Sequence, residues 1–155
     1  MAQRIAKDLP LSEITLRRYE KPSEVSGREL VRKLCLSLGL LQPGDSRDVV
    51  VDVLSVLLHA KKNKEELDSD KVRELVVEYR KKHNLVQLGI AQSNIRRQLK
   101  RLKDIFLIES INNNYRVTEF LPIAETFAHK GESFLLSSIL ARVKEYVKKV
   151  DEEFR

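Results

Sequence analysis

The stretch from Ile90 to Thr118 constrains the fold more than any other part of the chain. Its first half carries Ile95, Leu99, Leu102 and Phe106 at a 4-3-4 spacing, which aligns all four on one face of an α-helix. At roughly 100° per residue, Ser93, Asn94, Arg97, Lys100 and Arg101 fall within about a quarter turn of the direction away from that stripe. A helix of this kind is packed on one side and free to read something on the other. The helical spacing then gives way to the apolar run Ile105-Phe-Leu-Ile108, three asparagines, and Tyr115-Arg-Val-Thr118. This predicts two short strands joined by a tight turn.

Helix, strand, asparagine turn, strand is the order of a winged helix. Gly89-Ile-Ala-Gln-Ser-Asn-Ile-Arg-Arg-Gln-Leu-Lys-Arg-Leu102, followed by Phe106-Leu-Ile-Glu109, resembles the recognition helix and first wing strand of winged helix-turn-helix DNA-binding proteins. The likeness is greatest to small prokaryotic transcription regulators, archaeal or bacterial, and it spans about residues 46–119. It implies that double-stranded DNA is the partner and that helix 91–104 enters the major groove. Ser93, Asn94, Arg97, Lys100 and Arg101 would then enter or flank the groove. The forked groups of Arg and Asn match the edges of guanine and adenine. Asn113, Asn114 and Arg116 would lie on the wing against the sugar-phosphate backbone. Some winged helices bind proteins instead, so a second reading is an interaction module within a larger nucleic-acid-processing assembly.

The preceding chain supplies the remaining helices. Residues 1–22 read as a short helix or arm, with Arg4, Arg17 and Arg18 as candidate backbone contacts. Ser26-Gly-Arg-Glu29 has capping-box spacing and opens an amphipathic helix to about Leu38, closed by Gly39 and Pro43-Gly44. From Asp48 to about Lys62, Val49, Val50, Val51, Val53, Leu54, Val56, Leu57 and Leu58 cover most of the helix circumference. That pattern predicts a central helix buried nearly all round. After a polar connector, Asp68 or Ser69 caps a helix through about His83. Its stripe is Val72, Leu75, Val76 and Tyr79, with Lys81 opposite and Arg73, Arg80 and Lys82 flanking. The segment His83–Ile90 is longer than a tight helix-turn-helix corner.

Beyond the wing, Phe120–His129 reads as a short helix that Gly131 breaks. A longer helix follows from Glu132 to Phe154. Leu136, Leu140, Val143, Val147, Val150 and Phe154 repeat at 4-3-4-3-4, the rhythm of a coiled-coil seam, and predict a homodimer through Leu136, Leu140, Val143, Val147 and Val150. The alternative is that this face packs on the chain's own core. The expected fold is therefore mainly α with a small β-hairpin wing, a winged helix-turn-helix with extra N-terminal helices and a long C-terminal helix. Its parts are an N-terminal helical extension (1–45), a winged domain (46–119) and a C-terminal dimerisation segment (120–155).

Charge follows the same division. Residues 86–118 hold six Lys and Arg against two Asp and Glu, whereas 119–155 hold six against seven. A basic patch of this sort attracts phosphate. Catalysis is not expected, because His59, His83 and His129 are isolated and five glycines form no phosphate-cradling loop. No metal site, cofactor or small-molecule ligand can be identified. The single cysteine, Cys35, lies on an apolar helix face and reads as a buried structural thiol. Without an apolar run of signal or membrane-spanning length, the expectation is a cytoplasmic protein with no membrane partner.

Overall fold

A computed structural model describes residues 8–155, and its architecture is mainly helical with a small three-stranded antiparallel sheet. Arg4 lies outside the described residues. The centre is α2 (Val49–Lys62), in which Val49, Val50, Val51, Val53, Leu54, Val56 and Leu57 are all buried. A helix apolar on every side needs neighbours on every side, and it has them. α1 (Gly27–Ser37) contributes Cys35 and Leu36, α3 (Ser69–Lys82) contributes Val72 and Val76, and α4 (Gln92–Asp104) contributes Ile95, Leu99 and Leu102. Leu38, Leu40 and Leu41 join the same core, so the stretch read as an N-terminal extension shares its packing with the rest. Burial pushes the Cys35 thiol up to about 12, which keeps it protonated and inert.

The first described residues form an extended arm with no helix before α1. Arg17 fixes it: its backbone N–H donates to Ser37 O (2.8 Å), and its guanidinium donates to Leu36 O (3.0 Å) and Leu41 O (3.3 Å). These carbonyls lie at and just beyond the end of α1, where helical partners run out. Gly39 sits in the same contact with φ +70°, and any side chain there would overlap Thr15. Arg17, read as a possible DNA contact, is therefore spent on holding the arm. Ser26 stands at the N-cap of α1, but its side chain makes no capping bond, and Glu29 pairs with Arg32 at 3.4 Å. The cap of α3 forms as expected, with Asp68 accepting from the Lys71 N–H at 2.8 Å.

The sheet runs in the order β1-β3-β2, with β1 (Leu67–Asp68), β2 (Ile108–Ile111) and β3 (Asn114–Val117). The β2–β3 hairpin pairs Ile108 with Val117 and Ile111 with Asn114. Its two-residue loop, Asn112-Asn113, has φ of +51° and +64°, the doubly left-handed turn that asparagine tolerates. Two sequence expectations shift here. The first strand begins at Ile108 instead of Ile105, because α4 ends at Asp104 and Phe106 turns the chain with φ +66°. The polar connector before α3 also supplies the third strand, pairing Leu67 with Tyr115 and Asp68 with Asn114.

At the C-terminal end, α5 (Ile123–Thr126), a π-helical segment (Phe127–Leu136) and α6 (Ser137–Glu153) run on from one another without a break, with right-handed helical dihedrals at both joins. The expected break at Gly131 does not occur. Gly131 is buried against the Phe127 ring, where a Cβ would lie 2.8 Å from Phe127 Cδ2. The missing side chain admits that ring, a packing gain set against the roughly 1 kcal/mol that glycine costs inside a helix. Among the described residues no helix is long and apolar enough to cross a membrane.

Candidate nucleic-acid interface

The outer face of α4 is a basic surface that the fold holds firmly. Ile95, Leu99 and Leu102 are fully buried and fix the helix by its inner stripe. Ser93, Arg97 and Lys100 point to solvent together, flanked by exposed Arg96 and Lys103. Lys100 pairs with Asp104 at 2.9 Å one turn on, an exposed ion pair worth little in water.

The other two helix candidates turn inward. Asn94 Nδ2 donates to Gly89 O (2.6 Å), while Asn94 Oδ1 accepts from Gln98 Nε2 (3.0 Å). Arg101 donates to Gln98 Oε1 (2.8 Å) and to Gly39 O (3.2 Å). This ladder of side chains runs down one flank of α4 and ties it to the two connectors that carry Gly39 and Gly89. Between the α4 flank and the loop before α2 lies a cavity of about 380 Å³, lined in part by Asp45, Arg47, Ser93, Arg97 and Arg101. Arg47 was not singled out from sequence. It is brought beside Arg97 and Arg101 by the packing of α2 against α4.

Two arginines of α3 orient the long corner before α4. Arg73 Nε donates to Ile90 O at 2.7 Å, and Arg80 donates through Nε and Nη2 to Val86 O at 2.9 and 2.6 Å. Arg80 also pairs with Asp48 and Asp52 of the α2 region, and Arg28 of α1 binds the same two carboxylates. The sequence places Arg80 on a solvated flank, yet it is buried, because the carboxylate of Asp52, buried on α2, needs cationic partners. Burial works to raise the Asp48 carboxyl pKa, but hydrogen bonds and charge from Arg28 and Arg80 hold it below its ordinary value.

Known protein families, curated proteins and solved structures offer no match to this chain.

On the hairpin, Asn113 lies at the exposed tip beside Asn112, whereas Asn114 is half-buried within β3. Arg116 is committed to the body. It pairs with Glu109 (2.7 Å) and Glu66 (3.7 Å), and its guanidinium lies 4.9 Å from the Phe120 ring centre. Glu109 also accepts from the Glu119 backbone N–H at 2.8 Å. Burial opposes ionisation of Glu109, but these hydrogen bonds and the Arg116 charge keep its pKa low. The candidate contacts thus divide: Ser93, Arg97, Lys100 and Asn113 face solvent, while Asn94, Asn114, Arg101 and Arg116 are at least partly enclosed. Arg96 was missed because it lies about 100° from the stripe, outside the arc taken as opposite. The seam residues lie far along the helical rod, with Leu136 half-buried and Leu140, Val143, Val147 and Val150 exposed.

Proposed function

We propose that this chain binds double-stranded DNA and regulates transcription, with α4 as the reading helix of a winged helix-turn-helix over residues 46–119. The order α2, β1, α3, α4 and the β2–β3 hairpin supports that reading of the fold. The observation that carries the function is the division of α4 into a fully buried stripe and a solvent face bearing Ser93, Arg97 and Lys100. Arg97 suits a guanine edge and Lys100 a phosphate; Arg47 and Arg96 extend the positive surface on either side. Asn94 and Arg101 act one step back, holding the helix at its flank through Gln98. Arg73 and Arg80 hold the corner that sets the angle of α4.

The test is binding of a labelled random duplex followed by anisotropy, with two variants. Arg97→Ala is expected to weaken this sequence-independent binding and to reduce its salt slope by about one, with the melting temperature unchanged. Leu99→Ala is expected to lower stability by about 2–5 kcal/mol, as core truncations do. Wild-type affinity in a folded Arg97→Ala protein would count against α4 as the reader and leave a protein partner for the same face.

A further inference from the structure

We infer that α6 pairs antiparallel with the α6 of a second copy of this chain. None of its residues is buried, although it carries large apolar side chains throughout. Leu140 is 48% exposed, Val143 51%, Tyr146 69%, Val147 57%, Val150 54% and Phe154, just past its end, 82%. A helix of this length with its apolar stripe in water is marginal by itself, because most helical stability in proteins comes from packing such a face. The exposed side chains present on the order of 600 Å² per helix, as large as the largest apolar patch found on ordinary monomers. Two copies face to face would bury about 1,200 Å², the lower bound for a stable interface. The stripe repeats at 3-4-3-4 spacing from Leu140 to Phe154, so an identical helix offers holes for its knobs at matching intervals.

The residues flanking the stripe set the direction. One flank carries Ile139 and Tyr146, with Glu153 at its end; the other carries Lys144 and Asp151. Parallel helices would set the apolar flank of one copy against the charged flank of the other. Antiparallel helices bring like flanks together, which sets Tyr146 beside its counterpart and lets each Lys144 face the partner's Asp151. The seam lies apart from the α4 face and does not depend on DNA binding.

Light scattering of the full chain at tens of micromolar tests this, with the expected mass being twice the 18.0 kDa of one chain. Leu140→Glu with Val147→Glu is expected to give a folded monomer, since neither side chain supports the core. A monomeric wild type, or a dimeric double variant, would overturn the seam. Direction is read from single variants Leu140→Cys and Val150→Cys under mild oxidation, with native Cys35 buried and unreactive. In a parallel pair both would cross-link to their own copies. In the antiparallel pair only residues at the two-fold axis meet themselves, and these two lie about 15 Å apart along the helix, so at most one cross-links. Efficient cross-linking of both in a confirmed dimer would overturn the antiparallel assignment.

Discussion

Arg80 of α3 donates to Asp52 of α2 in the interior, where the Asp52 side chain is wholly inaccessible and that of Arg80 is nearly so. The same guanidinium holds Val86 O, so a core ion pair and the corner leading into α4 share one side chain. Removing Arg80 would leave the two carboxylates of Asp48 and Asp52 sharing Arg28 as their one cation. Arg80→Ala is expected to cost about 3–5 kcal/mol in urea unfolding. It should also loosen the corner, read as faster amide exchange over residues 85–90. A loss under 1 kcal/mol would mean that water or Arg28 takes over the role.

Acid should attack the same cluster. The folded-state pKa of Asp48 is lowered from 3.8, so its contribution to stability is present above that value and is lost as pH falls through the folded value. Unfolding free energies of wild type and Asp48→Asn measured between pH 6 and pH 2 are expected to converge toward the acid end. Curves that remain parallel throughout would contradict this assignment.

Gly131→Ala sets two effects against each other. Alanine favours a helix by about 1 kcal/mol, but its Cβ would meet the Phe127 ring at 2.8 Å. Overpacking of this kind costs about 1–3 kcal/mol, so a net loss of stability is expected in denaturant titration. A gain would mean that the Phe127 ring yields freely.

Sequence periodicity located α2 and α4 because a buried stripe is written within a single helix. The asparagine turn and the Asp68 cap were legible for the same local reason. The ion cluster was not, since it joins Arg28, Asp48, Asp52 and Arg80 from three regions of the chain. One sign was available: Asp52, alone among valines and leucines on a helix buried all round, requires a cation, although the sequence does not say which. The solvent arc of α4 was drawn from angle alone and therefore included Asn94 and Arg101, whose hydrogen bonds run to connectors distant in sequence or specific to the fold. Arg47 entered the candidate surface for a comparable reason, through helix packing that no local spacing encodes.

The role of α4 in DNA binding is tested by the salt dependence of duplex binding by the full chain and by Lys100→Ala. Log affinity is expected to fall linearly with log salt, by a slope of about 0.9 for each phosphate contacted, and the variant to lose about one unit of slope while remaining folded. Absence of duplex binding at low salt, or equal slopes for wild type and a folded Lys100→Ala, would contradict the assignment of α4 to the DNA backbone and groove.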